Sequence, residues 1–355
     1  MNNAQLRKFF DKIKEDRVVF GPAIQDGKTI IKKIDDFRDL KLDGRLPIFS
    51  FKRFFLPEKE SLFEYVGVNL SKPSERKTQK IALFGVNARD LKSILIYDQV
   101  FEKDPWYQER RENILVIGQM SATSEGKWEK IEEDLFEHLS FDIFLARFAP
   151  ALDGLSPGES TRDSEPKRAR ISGDNDLTVF SGSVLGREVL ENSGYNDFIH
   201  IQFSGPVKEK GIDKRMLRIK EKLEKQHDQA IWDRLGARCI ECGKCSIVCP
   251  TCFCFRIDDQ AELGRGRAER DDRSDNQGTR NRCWDSCFYQ EFSELSGGHK
   301  FLNTTAKKIH FWYFHKFVRI PEEFDMVGCV GCGRCAEVCP VGIDIKEVLK
   351  EIEES

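Results

Sequence analysis

Two short apolar runs, IALFGV at 81–86 and ILVIG at 114–118, have the length and continuity of strands buried on both faces. Between them, Leu91, Ile94, Leu95 and Asp98 fall at helical spacing. Strand, helix and strand in that order predict a parallel βαβ unit. Further strands are expected at 141–146 and 177–180, with a helix at 183–191. Residues 153–176 are rich in Gly, Ser, Pro and charge and read as a long surface loop. The stretch 206–238 reads as charged helix, with Met216, Ile219 and Leu223 on one face and Ile231 and Leu235 further on. Near the C-terminus, Ile345, Val348, Leu349 and Ile352 recur as one apolar stripe behind a capping-box-like pair, Asp344 and Glu347.

Cysteine sharpens this picture. All 12 cysteines lie between Cys239 and Cys339, and residues 1–205 contain none. Eight of them form two copies of one run. The first is Cys239-x2-Cys242-x2-Cys245-x3-Cys249-Pro250 and the second is Cys329-x2-Cys332-x2-Cys335-x3-Cys339-Pro340. This is the two-cluster bacterial ferredoxin spacing, in which the fourth cysteine of each run serves the other cluster. The expected ligand sets for two [4Fe–4S] clusters are therefore Cys239, Cys242, Cys245 and Cys339, and Cys329, Cys332, Cys335 and Cys249. Gly243, Gly331 and Gly333 would let backbone approach the sulfides, and Pro250 and Pro340 would turn the chain away. A zinc ribbon would show separated C-x2-C pairs instead, and a disulfide framework would need an oxidising compartment.

Cys252, Cys254, Cys283 and Cys287 remain, as many as one more cluster needs. The spacing Cys283-x3-Cys287 suggests two thiols on one helix face. A third metal centre is expected from these four, iron–sulfur ahead of structural zinc. Trp284 and Asp285 are candidates to shield and orient it. The wide separation of the two runs, with helices after each, predicts a helical ferredoxin-like domain interrupted by an exposed charged insertion near 258–282.

The chain has 355 residues, 39% hydrophobic and 33% charged, with a formal charge of −3. These values fit a globular protein of two or more domains and give no reason to expect nucleic acid. The N-terminus alternates charge and apolar residues and lacks a secretory h-region, and no run is long enough to span a membrane. The expectation is a cytoplasmic protein of anaerobic life. The fold expected is α+β overall: an N-terminal α/β domain over 1–205, suited to partner docking, then a mainly helical two-cluster ferredoxin domain over 206–355. The motif SGGHKF (296–301) reads as a turn that could cover a cluster, and Gly85 as a turn after a strand. No G-x-G-x-x-G or Walker run occurs, so no flavin, nicotinamide or nucleotide site is expected, and no nucleophile triad stands out.

These residues carry a resemblance. The segments CIECGKCSIVCPTCFC, RCWDSC, SGGHKF and CVGCGRCAEVCP resemble the beta subunits of cytoplasmic sulfhydrogenases ([NiFe] hydrogenase/sulfur reductase) and the A subunits of anaerobic sulfite reductases. Weaker similarity runs through FFLPEKESLFEY (54–65), FGVNARDLKSILIYDQVF (84–101) and RRENILVIG (110–118). The resemblance implies a non-catalytic subunit that relays electrons between a flavin- and nicotinamide-binding subunit and catalytic subunits. Members of the family often carry further cysteines after the FGV-type and VIG-type strands. Here Asn87–Arg89 and residues 119–124 hold none, so no N-terminal cluster is expected. Two other classes compete: an iron–sulfur enzyme with its own substrate-binding centre, and a structural zinc or interaction module, against which the doubled eight-cysteine pattern argues.

Overall fold

The structure, a computed structural model, describes residues 1–73, 79–120, 139–147, 177–201, 214–225, 229–261 and 277–354. Among these, no helix is long and apolar enough to cross a membrane. The chain divides into two compact units, the first made of Met1–Ile48, Gln79–Leu95 and Glu112–Glu209, the second of Phe49–Thr78, Ile96–Arg111 and Lys210–Ser355. Segments 49–78 and 96–111 group with the cysteine-bearing unit.

The first unit is built on a seven-stranded sheet whose strands, numbered along the chain, are β1 (Val18–Gln25), β2 (Lys28–Lys33), β5 (Ile81–Asn87), β6 (Ile114–Gln119), β7 (Ile143–Ala146), β8 (Thr178–Ser181) and β9 (Ile199–His200). Their order is β2-β1-β5-β6-β7-β8-β9. Strands β1, β5, β6 and β7 run parallel, β2 opposes β1, and β8 opposes β7 but runs parallel to β9. The expected βαβ unit is β5, the helix Ala88–Val100 and β6. Both apolar runs are central strands, and β6 is buried at every position, as two-faced burial requires. The helix Asn3–Lys14 is capped by Asn2 and Gln5 in a reciprocal box and buries Leu6, Phe9, Phe10 and Ile13 in the sheet's core. Gly85, expected as a turn, sits instead within β5 at a bulge with φ 77°, where Gln119 Nε2 donates to its carbonyl at 2.8 Å. The helix expected at 183–191 is Val184–Asn192, capped by Ser183. Residues 121–124, 153–176, 206–213 and 262–276 lie outside the described residues.

The second unit combines helices with a sheet that the sequence pattern does not predict. Its strands β3 (Lys59–Val66), β4 (Asn69–Ser71), β10 (Phe255–Ala261) and β11 (Gln277–Trp284) are all antiparallel in the order β10-β11-β3-β4. The insertion expected near 258–282 is therefore not a bare excursion, because both of its described ends are paired strands. A buried ion cluster ties this sheet together. Glu60 of β3 meets Arg282 of β11 and also Arg110, and Arg282 reaches Asp104.

Within 206–238 the described residues form the helices Lys214–Lys225 and Gln229–Arg238, and residues 226–228 lie outside the described residues. They pack with Thr305–Phe314 and Ile345–Glu354 around Ile219, Leu223, Trp232, Ile309, Tyr313 and Ile352. At Gly236 an added Cβ would stand 2.9 Å from the Ala306 amide, so glycine sets how closely these two helices approach. The predicted stripe of Ile345, Val348, Leu349 and Ile352 is buried, and Asp344 caps that helix through the Lys346 amide at 2.8 Å. The helix Thr305–Phe314 continues through a wider π-type turn, His315–Arg319.

Candidate metal centres

The two cysteine runs fold alike. Each makes a tight loop, a glycine in the left-handed region, and one short turn of helix: Gly243 (φ 70°) before Lys244–Ile247, and Gly333 (φ 77°) before Arg334–Glu337. Two residues after the first cysteine of each run the backbone is again left-handed, at Glu241 (φ 54°) and Gly331 (φ 65°). A side chain at that conformation is costly, and Glu241 is anchored there by Thr305 Oγ1 at 2.7 Å and Lys308 Nζ at 2.6 Å. The loops aim amides at sulfur: Glu241 N–H donates to Cys239 Sγ at 3.4 Å, and Ile343 N–H to Cys339 Sγ at 3.3 Å.

All 12 cysteines are described and none is in a disulfide. Their mutual influence groups them. Burial raises the Cys239 thiol, and Cys242 and Cys339 add to the effect. Burial likewise raises Cys245, which feels Cys239 and Cys242 as well as Cys335 and Cys249. Cys335 is pushed up to about 12, first by burial and then by Cys249, Cys329 and Cys332. Cys329 is raised by burial and by Cys249, while the Gly331 amide works the other way. Cys339 is thus felt at Cys239 and Cys249 at Cys335 and Cys329, while Cys245 feels cysteines of both runs.

Cys252, Cys254 and Cys287 form a third neighbourhood. Cys252 donates to Cys249, holding the Cys249 thiol well below its usual range against the cost of burial. Cys287 donates to Cys254 in the same way. Cys283 is placed differently from the helix-face expectation: it is buried on β11, opposite Arg256 of β10 and Lys59 of β3. A strand can take this spacing because the chain leaves β11 after Trp284 and turns over 286–289, where Tyr289 N–H donates to the Ser286 carbonyl at 2.9 Å. Trp284 Nε1 is tied to the Leu56 carbonyl at 2.9 Å, and the Asp285 carboxylate accepts from the Ser286 amide at 2.7 Å. The SGGHKF segment is a turn, with Leu295 N–H donating to the His299 carbonyl at 2.9 Å.

An apolar cavity opens among Cys239, Cys242, Cys245, Cys335 and Cys339, walled by Ile309, Trp312 and Tyr313 among others. Two polar atoms of that wall, Tyr313 Oη and Trp312 Nε1, are buried with no hydrogen-bond partner among the described residues. The Tyr313 hydroxyl feels burial first, then Cys335, Cys245 and Cys329, so it stands between the two groups of thiols. Orphaned buried donors need acceptors, and cluster sulfur would supply them. Among the described residues no three Cys, His, Asp or Glu side chains converge as they would on a single ion. A four-iron cubane asks for a different arrangement, with four thiolates spread around a larger body. The donor set and the orphaned donors fit iron–sulfur groups.

Sequence reasoning missed two lysines. Lys316, in the π-type turn, is 2% exposed and places Nζ 3.2 Å from Cys249 Sγ, 3.0 Å from Thr251 Oγ1 and 2.9 Å from the Gly328 carbonyl. Burial opposes its charge, but Cys249 first, then Cys252 and Cys329, outweigh burial and hold its pKa well above the usual value. Lys52 is 6% exposed, bonds the Ile247 carbonyl at 2.9 Å and sits 4.1 Å above the Trp284 ring. A π-type turn often marks a functional position, but its signal is in the backbone and not in the residue pattern.

Residues 238–343 match the model of a 4Fe-4S dicluster domain. Over 98% of its length the chain is 29% identical to sulfhydrogenase 2 subunit beta of Pyrococcus furiosus, covering 96% of that protein. No solved structure matches the chain. The cysteine-bearing part of this chain is thus similar to a 4Fe-4S dicluster domain, and the chain along nearly its whole length to a sulfhydrogenase beta subunit.

Proposed function

We propose that this chain is an electron-transfer subunit of a hydrogenase/sulfur-reductase-type complex, standing between a flavin- and nicotinamide-binding subunit and catalytic subunits. The observation that carries the reading is the match of residues 238–343, which hold all 12 cysteines, to a 4Fe-4S dicluster domain; the influence of Cys339 on Cys239 and of Cys249 on Cys335 supports crossed closure. Whole-length similarity to a sulfhydrogenase subunit favours this complex over a sulfite-reductase one. When bound, iron–sulfur groups supply one-electron chemistry over a wide range of potentials.

The chain's own residues supply position and environment. Cys239, Cys242, Cys245 and Cys339 would hold one [4Fe–4S] group, and Cys329, Cys332, Cys335 and Cys249 the other. Cys252, Cys254, Cys283 and Cys287 would hold a third, with iron–sulfur ahead of zinc. Ile309, Trp312 and Tyr313 exclude water from the first site, and the Glu241 and Ile343 amides donate to its thiolates. The cysteine-free first unit is left for partner docking.

The test is iron and acid-labile sulfide per chain in anaerobically purified protein, with EPR of the reduced sample. About twelve irons correspond to three four-iron groups and about eight to two. Cys242→Ala is expected to remove one group's signal and stop electron flow through the complex. Absence of iron after reconstitution refutes the reading.

A further inference from the structure

Three buried lysines occur among the described residues: Lys52, Lys308 and Lys316. Lys308 is neutralised locally by Glu241 at 2.6 Å, beside the first cysteine run. The other two converge elsewhere. Lys316 approaches Cys249 Sγ directly, at 3.2 Å, and its remaining polar contacts are the neutral oxygens of Thr251 and Gly328, at 3.0 and 2.9 Å. The Trp312 ring lies 5.3 Å from the same ammonium. Lys52 is held by two carbonyls, Ile247 at 2.9 Å and Ser246 at 3.4 Å, and by the Trp284 ring face. No carboxylate is among these contacts: Lys316 faces the Cys249 sulfur, and burial lowers the Lys52 pKa while Cys252, Cys249 and Cys254 work against that lowering.

A reduction adds one negative charge to a metal–thiolate centre. A fixed cation nearby stabilises the reduced form more than the oxidised one, and low local dielectric strengthens the effect. An ammonium beside Cys249 with no carboxylate among its contacts, against a neutralised one at Glu241 in the loop after Cys239, makes the two sites electrically unequal.

We propose that Lys316, assisted by Lys52, acts as a fixed positive charge that raises the reduction potential of the centre anchored by Cys249, making it the site where an electron rests. The inference depends on the iron–sulfur reading above and deepens it. Both lysines are positioning residues, acting on the centre through its thiolate.

The experiment is an EPR-monitored potentiometric titration of the full chain, with iron and sulfide measured in each sample. Lys316→Gln keeps a donor toward Thr251 and Gly328 but removes the charge. It is expected to leave iron content unchanged and shift the highest-potential wave downward by at least tenfold in the oxidised-to-reduced ratio, about 59 mV for a one-electron couple. Lys316→Arg is expected to restore most of the shift, because the charge returns. An unmoved wave at full iron content overturns the proposal, and so does an arginine variant that behaves like glutamine. Should Lys316→Gln fail to load iron, Lys52→Gln decides: a downward shift supports the proposal and an unmoved wave overturns it. A wild-type chain that binds no iron overturns the iron–sulfur reading itself, and this inference with it.

Discussion

Replacing Tyr313 with phenylalanine should have opposite effects in the metal-free and the loaded protein. The side chain is 1% exposed, its ring packs against Trp232 at 5.5 Å and Phe317 at 6.3 Å, and its hydroxyl has no partner among the described residues. In the metal-free chain, Tyr313→Phe keeps the ring contacts and deletes an unsatisfied buried donor, which costs about 1–3 kcal/mol where it occurs. The variant should therefore gain about 2 kcal/mol. In the loaded chain the hydroxyl lies beside Cys335, Cys245 and Cys329 and has an anionic sulfur acceptor. Hydrogen bonds to charged groups contribute about 1.5–3 kcal/mol, so the same change should lose about 2 kcal/mol. The swing of about 4 kcal/mol corresponds to roughly a thousandfold weaker metal retention. Urea denaturation of metal-free chain measures the first effect, and iron transfer to a competing chelator measures the second. A variant that is destabilised in both states, or retains iron as wild type does, refutes the argument that this hydroxyl is waiting for a sulfur acceptor.

Other expected outcomes follow from the second unit's packing. Glu60→Ala leaves Arg110 and Arg282 short of their buried carboxylate and should cost about 3–5 kcal/mol in denaturation, whereas a loss below about 1 kcal/mol would show the ion cluster to be dispensable. Gly236→Ala forces a methyl against the Ala306 backbone and should destabilise by about 1–3 kcal/mol, read from the urea midpoint; an unchanged midpoint means the helices separate freely. His315 is depressed to about 4, first by burial and then by the Lys316 and Arg319 charges. An unfolded histidine titrates near 6.5, so the unfolded chain takes up the proton first, and stability is full above about 6.5 and falls as pH drops toward about 4. Between pH ~7.5 and ~5.5 the loss should be about 1.3 kcal/mol. The same pH comparison on His315→Phe should lack that component, and an equal slope in both proteins would contradict the assignment.

Much of the first unit is legible in the sequence because strands buried on both faces leave continuous apolar runs, as in β5 and β6. The last helix is legible because its stripe has a single periodicity, and the cysteine runs because metal ligation demands fixed spacing. The β10–β11 pair is not legible. Strand β10 is exposed at nearly every position, so no alternation marks it, and its partners' charges read as solvent-facing. Arg282 and Glu60 look like surface charges in sequence, yet they are buried against each other. Cys283 and Cys287 have a spacing that a helix and a strand followed by a turn both accommodate. Lys316 looks like one more cation in a basic helix, since a wider turn that points it inward has no residue signature.

The pairing of β3 with β11 also has a consequence in time. Glu60 and Arg282 are 222 positions apart, so at ordinary rates of synthesis, about 5–20 residues per second, β3 waits roughly 10–45 s for its partner. The strand that carries Cys283 cannot dock until nearly four-fifths of the chain has been made. Assembly at that cysteine is thus late by construction, and for most of its synthesis the nascent chain presents β3 with one edge open to mispairing.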